Sequence, residues 1–151
     1  VSLRYFNVFG PRQDPESKYA AVVPKFIYFA FNNEPYEIHS DGKQSRDFTY
    51  VKNVVNANLL ALEAEENLVL NLGTGEETSV NSLLKEMQEI LGIQIPPEYQ
   101  AQRPGEVKRI ALQVKKAEEK LGWKAETSLK EGLTRTVEFF KQKIGSKSLN
   151  R

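Results

Sequence analysis

The sequence contains no cysteine and only one histidine, His39. Without thiols there is no disulfide framework, no thiolate metal site and no sulfur nucleophile, a composition that fits a reducing cytoplasm. A lone histidine with no serine or carboxylate partner at a recognisable spacing is weak evidence for catalysis, and no carboxylate pair or histidine cluster has metal-ligand spacing. No apolar run reaches the length of a membrane span. An excess of one charge is also missing: 21 Lys and Arg face 20 Asp and Glu, for a net +1. That balance gives no broad electrostatic footprint, so neither nucleic acid nor a membrane surface is expected as a partner. Only residues 141–151 are biased, with Lys141, Lys143, Lys147 and Arg151 unopposed by acid, and they read as a solvated basic end.

With 40% hydrophobic residues in 151, the chain can bury one respectable core, and its size argues for a single unit. Apolar and β-prone residues alternate from Leu3 to Phe9 and end at Gly10-Pro11, which reads as a strand leaving a sheet through a turn, with Asn7 at its end. Asp14 to Ser17 is a polar loop. Val23, Phe26, Ile27, Ala30 and Phe31 recur at helical spacing, with Pro24 in the first turn and Asn32-Asn33 as the stop. Tyr36 to His39 is a short strand, followed by the turn Ser40-Asp41-Gly42-Lys43 and the extended run Arg46 to Tyr50. The next helix is predicted to bury Val51, Val54, Val55, Leu59 and Leu62. Leu68 to Leu72 is a dense aliphatic strand. Val80, Leu83, Leu84, Met87, Ile90 and Leu91 form a clean helical stripe, capped by Thr78 or Ser79 and stopped at Gly92. Further on, Ile95 to Tyr99 reads as an edge strand because proline cannot donate to a ladder, and Ile110 to Leu112 as a short strand. Val114 to Leu121 reads as a short helix, and Ser128-Leu129-Lys130-Glu131 as a capping box opening a last helix buried through Leu133, Val137 and Phe140. Helices alternating with strands predict an α/β or α+β layered fold.

Three separated segments carry more than secondary structure. Arg4-Tyr5-Phe6-Asn7-Val8-Phe9-Gly10-Pro11, Gly42-Lys43-Gln44-Ser45-Arg46-Asp47-Phe48 and Arg103-Pro104-Gly105-Glu106 occur in that order, supported by Asn71-Leu72-Gly73-Thr74-Gly75 and Leu121-Gly122-Trp123. Together they resemble the extended short-chain dehydrogenase/reductase enzymes that act on nucleotide sugars, over almost the whole chain to about Phe140. The resemblance implies an α/β fold: the C-terminal, substrate-binding portion of a Rossmann-type enzyme, residues 1–151, with the N-terminal cofactor-binding portion missing before Val1. Val1 to Asn7 and Leu68 to Leu72 would then belong to a large parallel sheet.

The resemblance also assigns roles. Arg46 and Arg103 would clamp the substrate diphosphate, because a guanidinium fork binds paired oxygens in a way lysine does not. Asn7 would bond the phosphate or sugar end and Glu106 a ribose hydroxyl. A uracil-type base would lie near Val22 and the strand Glu37-Ile38-His39, although Val22 and Ile38 read equally well as plain core. Phe6 would touch the cofactor, NAD. The implied activity is UDP-sugar 4-epimerisation, of glucose/galactose or N-acetylhexosamine type, in a cytoplasmic homodimer. A nucleotide-sugar 4,6-dehydratase, a non-catalytic nucleotide-sugar-binding module and a purely structural domain are the alternatives.

Absences and departures bound that reading. None of Tyr5, Tyr19, Tyr28, Tyr36, Tyr50 and Tyr99 is followed four residues later by lysine, so the family's catalytic Tyr-x-x-x-Lys pair is not in this sequence. Gly73-Thr74-Gly75 lacks the third glycine of a dinucleotide fingerprint, Thr78 standing in its place, and reads as a turn near the substrate. The chain by itself is expected to bind and not to catalyse. Lys52-Asn53 and Gln113 stand where the family often has Asp, changes expected to alter local caps.

Overall fold

A computed structural model describes residues 1–17, 21–102, 105 and 107–148. Its parallel ladders join segments far apart in sequence. Strand β1 (Ser2–Tyr5) pairs with β6 (Val69–Leu72), Ser2 opposite Val69 and Tyr5 opposite Leu72. Strand β2 (Val8–Phe9) pairs with β5 (Thr49–Tyr50). Strand β3 (Tyr36–His39) takes β8 (Pro97–Gln100) as its parallel neighbour. The exception in direction is β4 (Ser45–Arg46), antiparallel to β7 (Thr78–Ser79) and bridged on its other side to Arg109. Beyond that bridge, Ile110 to Leu112 is not strand, which corrects the sequence-based expectation; Leu112 instead points its N–H at a buried carboxylate.

The helices follow their caps. Helix α1 (Val22–Asn32) ends at Asn33, whose φ of 56° is the left-handed stop that Asn tolerates. Helix α3 (Val80–Leu91) starts at Ser79, whose hydroxyl accepts from the Ser82 N–H at 3.0 Å, and ends at left-handed Gly92. Helix α4 (Lys115–Leu121) ends at left-handed Gly122. Helix α5 (Leu129–Ser148) opens with Ser128 accepting from the Glu131 N–H, while the Glu131 carboxylate turns outward to Arg135 at 2.7 Å.

Two cores result. The larger gathers α1, β3, α3 and α5 around Phe26, Ile27, Tyr36, Leu83, Met87 and Leu133. The smaller packs β6 against α4 and helix α2 (Val51–Leu62) through Leu70, Leu72, Val54, Ala57 and Trp123. Here the sequence reading needs correction. Helix α2 buries Asn53, Val54 and Ala57, leaving Val55, Leu59 and Leu62 exposed at 50%, 59% and 83%. Asn53 is why the face rotates: its amide donates to the Thr127 carbonyl and accepts from the Thr127 N–H, and its own carbonyl receives Trp123 Nε1 at 2.9 Å. It is a pin between α2 and the 123–127 segment, not a cap. Tyr5 and Val69, half exposed on the parallel pair, add to the uncovered apolar surface, and Tyr5 bonds Asn58 of α2 at 2.8 Å. Such surface and open strand edges recruit other chains. As a separate molecule the 151-residue chain is therefore expected to self-associate, and Leu59→Lys with Leu62→Lys to reduce that association. A compact monomer in sedimentation, with a cooperative high melting transition, would contradict this.

Candidate functional site

One cleft is assembled from four separate pieces of chain. After β1 the backbone turns at Asn7, whose φ of 40° lies in the left-handed region that Asn tolerates better than most residues. Asn7 accepts from the Thr49 N–H through its carbonyl, which fixes it beside the end of β5. The first two turns of α1 add Val22, Lys25, Phe26 and Phe29, one face of the helix at i, i+3, i+4 and i+7. Strand β3 adds Glu37, Ile38 and His39, and β4 adds Arg46. These residues, with Phe9, Gln44, Phe48 and Val80, line a cavity of about 240 Å³ open to solvent.

Three of the cleft's polar side chains are held by a neighbour. Arg46 Nη1 donates to the Ser45 carbonyl at 2.8 Å. The Gln44 amide donates to the His39 carbonyl at 2.9 Å, closing the Ser40–Lys43 turn against its own strand. His39 Nδ1 lies 3.2 Å from the Ala101 carbonyl, at the rim where β8 leaves the ladder. A cavity carrying Arg46 and Lys25 over an apolar floor of Ile38, Phe26 and Phe48 suits an anionic ligand with a flat, apolar part.

Of the residues singled out in the sequence, Asn7, Val22, Glu37, Ile38, His39 and Arg46 therefore share one cleft. Ile38, 1% exposed, is core and cleft floor at once. Phe6 is half-buried and does not line this cavity. Arg103 and Glu106 lie outside the described residues. Lys25, Phe26 and Phe29 went unrecognised, although their helical spacing from Val22 was a usable signal.

Beside the cleft, Asp47 is fully buried and its carboxylate accepts from the Thr74 N–H at 2.8 Å, the Thr74 hydroxyl at 2.7 Å and the Gly75 N–H at 2.9 Å. Arg46 and Asp47, adjacent in sequence, thus serve different places, one the cleft and the other the turn. Gly73 is glycine because a Cβ there would lie 2.5 Å from Asp47 Oδ2 and 2.6 Å from Leu112 Cδ1. The turn lines a second cavity with Trp123, Thr127 and Leu129; Phe48 is shared with the first, and Gly73 and Thr74 do not line the cleft itself. The same contacts test the turn as a cofactor loop. Its N–H groups, which would cradle a pyrophosphate, already hold a carboxylate, so the turn does not fit NAD's pyrophosphate. Among the described residues no group of three or more His, Cys, Asp or Glu could hold a metal, and no helix is long and apolar enough to cross a membrane.

Behind β4, Glu77 receives Ser45 Oγ at 2.7 Å and Arg109 Nε at 2.8 Å. Hydrogen bonds from Arg109 first and Ser45 second hold the Glu77 carboxyl below its ordinary range. A folded-state value below the unfolded one adds stability that is present above the unfolded carboxyl's range and lost as pH falls through the lowered value. Glu77→Gln is accordingly expected to be less stable than the parent at neutral pH, by a small amount for so exposed a pair, with the gap closing in acid. Urea midpoints measured from pH 7 down to pH about 3 check it; a gap that widens on acidification would contradict the sign.

Comparisons with known proteins point to one family. The sequence profile described as GDP-mannose 4,6 dehydratase matches residues 1–136. The UDP-glucose 4-epimerase of Thermotoga maritima, solved with UDP-glucose, is 47% identical with a TM-score of 0.90, over 94% of this chain and 46% of that one. The UDP-N-acetylglucosamine 4-epimerase of Methanobrevibacter ruminantium M1, in complex with UDP-N-acetylmuramic acid, is 42% identical with a TM-score of 0.89, over 93% and 46%. The UDP-glucose 4-epimerase of Mycolicibacterium smegmatis is 38% identical over 91% of this chain and 44% of that one. The chain thus spans less than half the length of these relatives.

Proposed function

Because the chain belongs to the extended short-chain dehydrogenase/reductase family of nucleotide-sugar epimerases and dehydratases, we propose that its cleft is the nucleotide-sugar site of a UDP-sugar 4-epimerase. The observation that carries this is the convergence of Asn7, Val22, Glu37, Ile38, His39 and Arg46 on one cavity. Arg46 binds the diphosphate through paired, charge-assisted hydrogen bonds, with Arg103 as the second fork and Glu106 accepting from a ribose hydroxyl. Val22 and the β3 backbone flank a uracil-type base. Asn7, constrained at the end of β1, meets the phosphate or sugar end. Holding the nucleotide at several points while leaving the sugar end unclamped is what a reaction needs when the sugar must turn without leaving.

NAD, the hydride carrier in such chemistry, is held mainly outside these 151 residues, with Phe6 its contact here. The protein acts in the cytoplasm, as a homodimer when intact, and residues 1–151 serve as one substrate-binding unit. A 4,6-dehydratase would use the same clamp, since the two reactions differ beyond the nucleotide.

Titration of the full-length protein with UDP, UDP-glucose and UDP-N-acetylglucosamine tests the reading; saturable binding of the UDP-sugars supports it and its absence removes it. With NAD added, the 151-residue chain is expected to leave UDP-glucose unconverted, because the Tyr-x-x-x-Lys pair is not in it. Interconversion by the pure 151-residue protein would refute the assignment of catalysis to residues outside it.

A further inference from the structure

Glu77 stands outside the cleft, yet three segments that shape the cleft meet on it. Its Oε2 accepts from Ser45 Oγ at 2.7 Å and Arg109 Nε at 2.8 Å, and its Oε1 accepts from Arg109 Nη2 at 3.3 Å. Ser45 immediately precedes Arg46 in β4. The Ser45 N–H donates to the Lys108 carbonyl at 2.9 Å, and the Ile110 N–H donates to the Ser45 carbonyl at 3.2 Å. That carbonyl is the one that receives Arg46 Nη1. So the carbonyl that receives the cleft's guanidinium is held by residues 108–110, on the edge of β4 that faces away from β7.

Strand β4 is only two residues long, and so short a ladder leaves its roll about the strand axis weakly determined. The Glu77 carboxylate supplies what the ladder lacks, a side-chain bond to β4 and another to the segment on its far edge. Stability does not account for the arrangement: the Arg109 side chain is 76% exposed, and exposed ion pairs contribute little. Geometry does, since a bidentate guanidinium–carboxylate pair fixes direction as well as distance.

We infer that Glu77 is a positioning residue for nucleotide binding, holding Ser45 and Arg109 so that Arg46 presents its fork to the diphosphate. The inference rests on the reading of Arg46 as a diphosphate ligand.

The test is a double-mutant cycle in the full-length protein, with UDP binding followed by calorimetry. Glu77→Ala is expected to weaken UDP by about 5- to 10-fold, and Glu77→Gln, which keeps one acceptor, by less. In an Arg46→Ala background Glu77→Ala should change UDP affinity less than about twofold, because the group it positions is gone. A purely structural role would act equally in both backgrounds; equal factors in both overturn the inference. If Arg46→Ala leaves UDP binding unchanged, the assignment of Arg46 fails and the inference with it. If Arg46→Ala weakens binding but does not couple to Glu77, the nucleotide site stands and only the role of Glu77 falls.

Discussion

Asp47→Ala is expected to destabilise the protein by about 3 to 4 kcal/mol, because it removes one buried acceptor from several donors at once. The carboxylate is fully buried and serves the Thr74 N–H and hydroxyl, the Gly75 N–H and, at 3.4 Å, the Leu112 N–H. The carboxylate packs so closely on the turn that a Cβ at Gly73 would lie 2.5 Å from Asp47 Oδ2. Asp47→Asn should be nearly as damaging. An amide keeps one oxygen but turns an NH2 group toward N–H donors, replacing attraction by repulsion at half of the contacts. Urea denaturation with an unchanged m-value is the measurement. A loss under about 1 kcal/mol for Asp47→Ala would mean that water takes over the turn, and the account of Asp47 as its organiser would be wrong.

Arg46→Lys is expected to weaken UDP-sugar binding by about 1 to 3 kcal/mol while leaving the fold intact. Lysine keeps the positive charge of the cleft, so long-range attraction for an anionic ligand survives. It loses the planar fork, and with it both the paired bonds to the diphosphate and the Nη1 bond to the Ser45 carbonyl that sets the side chain's direction. The loss should therefore appear in affinity at any salt concentration, whereas loss of simple charge attraction would fade as salt is raised. Titration of the full-length protein with UDP-glucose at low and high ionic strength distinguishes the two. Equal affinity of parent and variant would take Arg46 out of the clamp.

Much of this was readable from residue order because local chemistry decided it. Asn33, Gly92 and Gly122 stop helices where a left-handed residue is needed, and Ser79 and Ser128 accept from the first turns of α3 and α5. The strand Tyr36–His39 and the edge strand opening at Pro97 follow from β-propensity and from proline's missing donor. The motif around Arg46 marked a residue that does line the cleft, where it is proposed as the diphosphate fork.

Tertiary structure decided the rest. Periodicity pointed Val55, Leu59 and Leu62 inward, but the paired bonds of Asn53 to Thr127 rotate α2 and leave those side chains outside. A hydrophobic stripe records that a face is to be covered, not by what, and its cover is not among the described residues. Arg46 at the end of β4 lines the cleft, whereas Asp47, just past the strand, reaches the Gly73–Gly75 turn, a separation that depends on where residues 73–75 fold. Lys25 and Glu77 carry no motif at all. The roles proposed for them depend on tertiary packing that sets α1 and β3 beside β4 and its partner β7, and side-chain chemistry at position 25 or 77 holds no record of which segment the chain will fold against it.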